Sequence, residues 1–433
     1  MPHVENKIVL REGKTKVVRP HPTDSNLAIF EAKDDITAGD GAKRDVIPGK
    51  ARLATTTTVN VFRLLQDADI SVTFREQDSS TSFIAELCEM LPFEVVVRRS
   101  VVPASSYLKR HRHIPLDHTF SRLIVEFFLK TTGQQWEDTS LPVDDPLILF
   151  GNDGKASLFH PKHFVNSEAP IAKIPMPKSF GTPAGRAQLA NEARRIFLIL
   201  EQAWRLQGLK LVDLKVEFGT NTKGEYVLAD VIDNDSWRLL DEGDHLDKQV
   251  YRDGQGLDEV ASRYILVAER TSRFHIPRQQ IIIWCGSVKD DLRSFDDAMA
   301  TLGVPEAFRK YEKVFCSVHK EPMKALAELD RQLGLVPDSV VIAYVGRSNG
   351  TGPVLAAHTT VPVIAVPAEF EKFPDDVWSS LRMPSNVPLM TVLDPGNAFL
   401  AALQILAARN PALYAALRFR QEKRFENTIS IGS

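Results

Sequence analysis

The pattern of apolar and polar positions changes character near residue 275. Before it, short strand-like segments follow one another across tight turns, and residues 51–65 and 188–207 repeat apolar side chains at helical spacing. Two alternating segments, 211–219 and 226–230, flank a turn that contains Asn221 and Gly224, which predicts a β-hairpin. Successive strands with few helices predict an α+β domain with mostly antiparallel pairing.

After residue 278, strand-like and helix-like patterns alternate. Apolar runs at 281–284, 313–315, 340–344 and 363–366 are separated by helical patterns at 292–302, 323–333, 353–358 and 376–383. This order predicts an α/β domain in which a parallel sheet lies between two helical layers.

Two further segments connect or interrupt these patterns. A helical pattern at 257–270 is followed by a polar stretch with Pro277, which predicts a linker over 271–280. The segment 147–183 is rich in Gly, Pro, Lys and Ser and has no clear period. We therefore expect it to be a long surface excursion.

Composition narrows the class of protein. A chain of 433 residues is long enough for two or three domains at roughly 150 residues each. The net charge of −3 gives no electrostatic argument for a nucleic-acid or membrane partner. The three cysteines have no CxxC spacing, so neither a disulfide framework nor a zinc knuckle is indicated. Without a signal-peptide pattern or a long apolar run, we expect a cytoplasmic protein.

A glycine-rich stretch at 346–353 directly follows one of the predicted parallel strands and precedes a helix. This arrangement places free backbone N–H groups and the Ser348 hydroxyl at the carboxyl edge of a sheet, where anions and nucleotides bind. A second loop, 316–320, has the same position after another strand and carries His319 and Lys320. The pair predicts a ligand site, although a glycine-rich connection without a ligand is the alternative.

The first half of the chain has a separate set of charged residues. Lys14 and Lys16 are spaced to hold a polyphosphate beside Gly13, or else they lie on an exposed strand. Glu217 and Asp230 lie on opposite arms of the predicted hairpin and suit Mg²⁺, with a solvated acidic turn as the alternative. Glu126 and Lys130 either face a nucleotide or form a surface ion pair.

Several motifs carry a resemblance to known enzymes. The segments 12–16, 35–40, 215–219 and 228–238 resemble SAICAR synthetase, and the segments 317–320, 346–353 and 376–382 resemble the CO₂-using AIR carboxylase. In this order they resemble the bifunctional animal enzymes of de novo purine synthesis. The resemblance implies a SAICAR-synthetase-like domain at 1–270, a linker at 271–280, and a three-layer, flavodoxin-like carboxylase domain at 281–433.

The resemblance also implies two consecutive reactions. The C-terminal domain would carboxylate 5-aminoimidazole ribonucleotide (AIR) with CO₂ to give CAIR, without a cofactor. The N-terminal domain would use ATP and Mg²⁺ to join L-aspartate to CAIR, through an acyl phosphate because a free carboxylate resists attack by an amine. A homo-octamer formed through the C-terminal domain is implied as well.

The roles of individual residues follow from the same resemblance. The phosphates would be held by Lys14 and Lys16, and the metal by Glu217 and Asp230. The nucleotide substrate of the ligase would be bound or acted on by Arg98, Ser106, Asp213, Lys215, Asp235 and Arg238. In the carboxylase, His319 would move the proton of the ring carbon, and the substrates would contact Lys320, Ser348, Gly350, Ser287 and Asp290.

The sequence departs from the family pattern at several positions. The loop from Arg98 to Ser106 is two residues longer than expected, with Ser105 in place of glycine. Lys289 replaces a serine and Val318 replaces an alanine in the carboxylase loops. These changes leave open a diverged paralogue in which only the ligase is active and the C-terminal domain serves assembly. A non-catalytic nucleotide-binding scaffold is a third possibility, disfavoured by His319, Lys215 and Asp230.

Overall fold

The structure is a computed structural model that describes residues 8–38, 43–103, 105–163, 169–302, 311–346 and 350–429, with side chains up to residue 424. The chain divides after His275 into two compact units, of which the second comprises Ile276–Arg424. Within the described residues, no helix combines the length and the apolar character that a membrane crossing requires.

The first unit contains eighteen strands and five α-helices in its described residues. The strands are β1 (Arg11–Glu12), β2 (Lys16–Pro20), β3 (Leu27–Ala32), β4 (Asp35–Ala38), β5 (Lys43–Val46), β6 (Phe74–Gln77), β7 (Ser82–Glu86), β8 (Glu89–Ser100), β9 (Thr119–Leu129), β10 (Gln135–Trp136), β11 (Thr139–Ser140), β12 (Leu147–Phe150), β13 (Lys155–Phe159), β14 (Ala172–Pro175), β15 (Lys210–Thr220), β16 (Tyr226–Ala229), β17 (Trp237–Asp241) and β18 (Asp244–His245). The helices are α1 (Lys50–Asp67), α2 (Ser106–Arg110), α3 (Pro183–Arg205), α4 (Gln249–Arg252) and α5 (Leu257–Thr271), with a 3₁₀ turn at Lys178–Phe180.

Two antiparallel sheets organise the first unit. The smaller sheet has the order β1-β2-β3-β7-β6, and the larger has the order β14-β13-β12-β9-β8-β15-β17-β18 with β16 also paired to β15. The predicted hairpin is confirmed as β15 and β16, in which Glu217 pairs with Ala229. The α+β class with antiparallel pairing is therefore correct for this unit.

The expectation of a surface excursion at 147–183 is wrong. Strands β12, β13 and β14 occupy this segment and extend the larger sheet to its edge. Their inward residues, including Ile148, Leu158 and Ile174, are buried. The strands are only four or five residues long and are separated by turn residues, so their period-2 pattern is too short to stand out.

Helix α1 begins where local chemistry stabilises its first turn. The Asp34 carboxylate accepts hydrogen bonds from the N–H groups of Gly49 (3.2 Å) and Ala51 (2.8 Å). Gly49 has a φ of 84°, a left-handed conformation that favours glycine. These contacts fix the position of Lys50 at the first residue of the helix.

The second unit is a parallel sheet between two helical layers. Its strands are β19 (Gln280–Cys285), β20 (Glu312–Phe315), β21 (Ser339–Val345), β22 (Val363–Pro367) and β23 (Met390–Thr391). Its helices are α6 (Arg293–Leu302), α7 (Pro322–Leu335), α8 (Thr351–His358), α9 (Trp378–Leu381), α10 (Pro395–Ala407) and α11 (Pro411–Ile429), with a 3₁₀ turn at Pro374–Val377.

Strand order identifies the fold of this unit. All pairings are parallel and the order is β20-β19-β21-β22-β23, which is 2-1-3-4-5 within the unit. Alternate residues of β19 pack into separate cores: Ile283 lies with α10 on one face and Trp284 with α7 on the other. The predicted three-layer, flavodoxin-like fold is confirmed, and ligands of such folds bind at the switch point between strands 1 and 3.

Candidate active sites

Strand β15 places three charged residues on one face of the larger sheet. Asp213, Lys215 and Glu217 are spaced two residues apart, so the pleat directs them to the same side. Each belongs to one of two groups of closely paired charges. The arginine row consists of Arg110, Glu126, Arg98, Asp213 and Arg238; the lysine cluster consists of Lys16, Lys130, Lys215, Glu94, Glu217 and Asp230.

The arginine row alternates in charge across four neighbouring strands and α2. Arg98 donates to Glu126 (Nε to Oε2, 2.8 Å), to Asp213 (Nη1 to Oδ2, 2.6 Å) and to the Ser106 hydroxyl (Nη2 to Oγ, 3.3 Å). Arg110 pairs with Glu126, and Arg238 pairs with Asp213. Burial opposes the charge on Arg98, but Glu126 and Asp213 raise its pKa above the ordinary value. Three cations against two carboxylates leave the row one positive charge in excess, which suits an anionic ligand.

Helix α2 explains why this chain has Ser105 where glycine was expected. The buried Ser105 hydroxyl accepts a hydrogen bond from the Tyr107 N–H at 3.2 Å and so caps the helix. The helix then presents Ser106 at its start and Arg110 at its end to the arginine row. The longer loop therefore still brings Ser106 to Arg98.

The lysine cluster surrounds Glu217. The Nζ of Lys215 lies 3.0 Å from Glu217 Oε1 and 3.2 Å from Glu94 Oε2, while Lys130 pairs with the other oxygen of Glu217. Burial opposes the charge on Glu217, but Lys215 and Lys130 lower its pKa to about 2. Burial also opposes the charge on Lys215, but Glu94 and Glu217 raise its pKa above the ordinary value. Both groups are thus held ionised.

The lysine cluster is completed by two residues from other elements. Lys16 comes from the smaller sheet and Asp230 from the end of the hairpin. Asp230 follows the last residue of β16 with a φ of 63° and forms an ion pair with Lys16. Burial lowers the pKa of Lys16 to about 8. Lys14 does not share a strand face with Lys16, because β2 begins at Lys16 and Lys14 is exposed in the turn between β1 and β2.

The side-chain partners of Asp235 do not belong to the arginine row. Its carboxylate accepts hydrogen bonds from Lys248 (2.7 Å) and the Tyr264 hydroxyl (2.8 Å). Burial opposes its charge, but Lys248 and Lys50 lower its pKa. The structure thus holds Asp235 as an ionised group between helices α4 and α5 and the loop after β16.

Glu217 and Asp230 fit a magnesium ion as part of its ligand set. They offer hard carboxylate oxygens close to the same lysine, since the Glu217 charge acts on Lys16 and Asp230 pairs with it. The described residues contain no group of three or more His, Cys, Asp or Glu side chains arranged to hold a metal. This donor set suits Mg²⁺, which usually takes one or two carboxylates and completes its shell with phosphate and water.

The second unit has a cleft at the carboxyl ends of its strands. The second-unit cleft is lined by the loops after β19, β20, β21 and β22, including Ser287, Lys289, Asp290, His319, Lys320, Gly346, Thr351 and Glu369. Gly350 closely approaches the His319 ring: a Cβ built on Gly350 would lie 2.5 Å from His319 Nε2. The two loops singled out in the sequence therefore meet at His319 and Gly350, and Ser348 lies outside the described residues.

Two residues of this unit depart from the family pattern, and the structure places one in the core and the other at the cleft. Val318 is buried and belongs to the core cluster that contains Cys316 and Trp284, so its extra methyl groups pack away from the cleft. Lys289 lies in the turn where Ser287 N–H donates to Asp290 Oδ2 at 3.0 Å, and it lines the cleft. The change at Lys289 therefore adds a charge beside Ser287 and Asp290.

Sequence reasoning missed several residues of these sites. Glu94 and Arg110 come from segments distant along the chain, and nothing in their local pattern marks them. Glu126 and Lys130 do not pair with each other: Glu126 joins the arginine row and Lys130 joins the lysine cluster. Glu369 follows β22 as His319 follows β20, so the argument from parallel strand ends could have found it.

Comparisons with known proteins assign these units to families. A model of SAICAR synthetase matches residues 9–157 and 165–270, and a model of AIR carboxylase matches residues 280–427. The chain is 36% identical to the multifunctional protein ADE2 of Gallus gallus over 94% of this chain and 92% of the relative.

Two further relatives show how the similarity is distributed. The Drosophila melanogaster bifunctional phosphoribosylaminoimidazole carboxylase/phosphoribosylaminoimidazole succinocarboxamide synthetase is 34% identical over 96% of this chain and 92% of its own length. The phosphoribosylaminoimidazole-succinocarboxamide synthase of Chloroflexus aurantiacus is 44% identical over 61% of this chain and 96% of its own length. The chain belongs to the family of bifunctional enzymes that combine an AIR carboxylase domain with a SAICAR synthetase domain.

Proposed function

We propose that the lysine cluster transfers the γ-phosphoryl group of ATP to the carboxylate of CAIR, and that the second-unit cleft carboxylates AIR. The observation that carries this is the concentration of Lys16, Lys130 and Lys215 around Glu217, next to the positively charged arginine row. Both domains are present along the chain, and no finding favours the alternative in which the ligase alone is active.

The ligase step needs a charged surface that accepts phosphate. Lys16, Lys130 and Lys215 would hold the phosphates of ATP, and Lys14 in the adjoining turn would contact them from solvent. Arg98, Arg238 and Ser106 would orient the anionic ribonucleotide. Asp213 keeps both arginines in place, and Arg110 would act on Arg98 through Glu126. Asp235, held by Lys248 and Tyr264, would contribute from the loop after β16. Such positioning and charge stabilisation is the main catalytic means in phosphoryl transfer.

The carboxylates of the lysine cluster are the expected ligands of magnesium, and its lysines are the expected partners of the ATP phosphates. Glu217 and Asp230 would hold Mg²⁺, which, when bound, neutralises charge on the transferring phosphoryl group. In this arrangement Lys16 and Lys130 exchange their carboxylate partners for phosphate oxygens. Before the substrates arrive, Lys215 and Lys130 keep the Glu217 carboxylate ionised by lowering its pKa.

In the carboxylase, His319 would move the proton that the imidazole carbon loses when CO₂ is added. Its ring lies against Gly350, so a substrate ring held between the loops after β20 and β21 would be within its reach. Lys320, Ser287, Asp290 and the loop of Ser348 and Gly350 would bind the CO₂ and the ribose phosphate. No further cofactor is needed in this scheme.

We also propose domain bounds, an assembly and a location for this chain. We place the ligase at 1–270, the linker at 271–280 and the carboxylase at 281–433. A homo-octamer built through the C-terminal domain and a cytoplasmic location fit the family to which the chain belongs.

The ligase assignment is tested by Glu217→Gln and Asp230→Asn, assayed separately in the two half-reactions. Each variant should lose ATP-dependent aspartate ligation by several hundredfold or more, roughly the several kcal/mol that a metal-held charge supplies. AIR carboxylation should stay at the wild-type rate. If either folded variant loses both activities, the two-site assignment is wrong.

The carboxylase assignment is tested by His319→Asn. Carboxylation should fall by about 10² to 10⁴, the usual contribution of a positioned acid/base group, while ligation of supplied CAIR stays near wild type. Thermal stability is measured on the same preparation. Unchanged carboxylation per folded molecule would exclude His319 from the mechanism and leave it a packing residue.

A further inference from the structure

One exposed surface of the first unit has a charge opposite in sign to that of the whole chain. The chain has a net charge of −3, yet residues 106–122 contain four Lys or Arg residues and only one acidic residue. Residues 155–163 contain two lysines and no acidic residue. Lys109, Arg112 and Lys162 of these segments are exposed, and none of them forms an ion pair with any described residue. We call these three residues the basic rim.

The basic rim adjoins the arginine row through Arg110. Arg110 pairs with Glu126 inside the row and also donates a hydrogen bond to the carbonyl oxygen of Pro161. Each member of the basic rim lies at most two residues along the chain from Arg110 or from Pro161. Two residues span about 7 Å of backbone. This distance is comparable to the Debye length of about 10 Å at 0.1 M salt, so the rim charges act on the arginine row.

Ring contacts anchor the loop between α2 and β9, which carries part of the basic rim. Tyr107 of α2 packs on His111, with ring centroids 4.2 Å apart, and on Phe120 of β9, with centroids 5.5 Å apart. At the other end of the loop, His118 packs on Phe120 with centroids 4.9 Å apart. The loop is therefore held at both ends against β9, beside the strand residue Glu126 of the arginine row.

Surface cations without partners raise the local concentration of anions and the rate at which anions associate. Charges at the edge of a binding site change the association rate and its salt dependence more than the dissociation rate. The ribonucleotide CAIR carries both a phosphate and a carboxylate. We propose that the basic rim attracts the anionic ribonucleotide and increases its rate of association with the arginine row. This rests on the proposed function, and it names residues that act on the substrate before it is bound.

The number and location of the charges favour a small anion over a nucleic acid. A protein whose binding to DNA is strongly salt-dependent makes about six to ten phosphate contacts. The basic rim has three cations on two short segments. The arginine row beside it has one positive charge in excess, and Arg98 and Arg238 of the row would bind the same anion. The basic rim is therefore suited to attract the ligand of the arginine row.

The test neutralises the basic rim in the full chain by combining Lys109→Gln, Arg112→Gln and Lys162→Gln. Binding of CAIR without ATP is followed by stopped-flow tryptophan fluorescence, to which Trp237 contributes beside Arg238 of the arginine row. At about 0.01 M salt the association rate constant should fall about tenfold, within the usual range of electrostatic steering. At about 1 M salt, where the Debye length is about 3 Å, the variant and the wild type should agree within about twofold.

A matched control removes the same charge elsewhere. Arg63, Lys178 and Lys223 are exposed, form no ion pair with a described residue, and lie on α1, the 3₁₀ turn and the hairpin turn, which carry no residue of the arginine row. Changing all three to Gln should leave the association rate constant within about twofold of the wild type at low salt. In both triple variants the dissociation rate of CAIR, the kcat of ligation and the melting temperature should stay at wild-type values.

Three results would overturn the inference. An unchanged association rate in the folded rim variant would show that the basic rim does not attract CAIR. An equal loss of rate in both triple variants would show that net charge, rather than the position of the charges, is responsible. Faster dissociation with unchanged association would place the rim cations in contact with the bound substrate. A wild-type protein that does not bind CAIR would instead overturn the proposed function itself.

Discussion

At the scale of single residues, the most consequential feature is that Arg98 has a partner on every side. Asp213, Glu126 and Ser106 each take one of its donor groups, so its guanidinium has a fixed orientation before substrate binds. Glu126 is in turn held by Arg110, whose side chain is fully buried. Arg110 therefore positions Arg98 through Glu126, without being placed to contact the nucleotide itself.

Replacing Arg110 with Met should impair substrate binding in the ligase. The change removes one partner of a buried ion pair, which typically costs about 3–5 kcal/mol of stability. The change also leaves Arg98 as the remaining arginine partner of Glu126 in the arginine row, so Glu126 would compete with the nucleotide for Arg98. We therefore expect the KM for CAIR to rise about tenfold while the KM for ATP changes little. Steady-state kinetics with each substrate varied in turn would measure this, and Arg110→Lys should restore part of the loss.

The neighbouring Arg99 provides the control. It lies on the opposite face of β8 and pairs with Glu201 of α3 at 2.7 Å, away from the arginine row. Arg99→Met should lower the melting temperature by a comparable amount and leave the KM for CAIR unchanged. A similar rise in KM in both variants would show that the effect is loss of stability rather than loss of positioning.

At the scale of elements, the carboxylase chemistry depends on how closely the loop before α8 approaches the loop after β20. A side chain at position 350 would enter the space of the His319 ring and displace it, whereas the φ of −66° at Gly350 is open to any residue. Steric contact, rather than backbone conformation, therefore selects glycine at this position.

Gly350→Ala should displace His319 and lower AIR carboxylation by about tenfold or more, because small shifts of an acid/base group reduce proton transfer strongly. Ligation should be unaffected. The comparison variant is Gly334→Ala in α7, where a Cβ meets no atom within 4 Å. Carboxylation of the Gly350→Ala variant at the rate of Gly334→Ala would show that the His319 ring can move without consequence.

The elements also show how far the sequence could predict this molecule. The alternation of strands and helices after residue 278 is a strong signal, and it yielded the parallel sheet and the meeting of the loops at His319 and Gly350. The shared face of Asp213, Lys215 and Glu217 was not predicted, although their period-2 spacing along the predicted hairpin strand contained it. The short strands between 147 and 175 were missed because four or five residues carry too little periodicity.

The partners of the site residues were harder to predict for a physical reason. Glu94 reaches Lys215 because β8 pairs with β15 across more than a hundred residues, and Arg110 reaches Glu126 from a separate helix. Such contacts depend on strand register, which one sequence does not reveal.

At the scale of the whole molecule, the chain is two compact units with separate cores and separate candidate sites. The Chloroflexus aurantiacus relative matches 61% of this chain across 96% of its own length, so a protein of the length of the first unit exists by itself. We infer that the first unit carries its ligase site without help from the second.

A fragment of residues 1–275 should therefore fold and ligate aspartate to CAIR with a KM close to that of the full chain. Circular dichroism would check folding, and the ligation assay would check function. Calorimetry of the full chain should show two transitions rather than one. A folded fragment without ligation would mean that the ligase site is incomplete without the second unit.

The regular spacing of strand β15 limits where relatives can gain or lose residues. Asp213 and Glu217 are four residues apart, roughly 13 Å along the strand, and this fixed interval spaces the arginine row from the lysine cluster. The register irregularities of β15 fall between 211 and 213 and between 217 and 219, which leaves the interval itself regular. Loops such as the one at 100–106 can gain residues freely, whereas one residue inserted between Asp213 and Glu217 would turn Glu217 to the opposite face. Insertions and deletions among relatives should therefore avoid these five positions even where the side chains around them change.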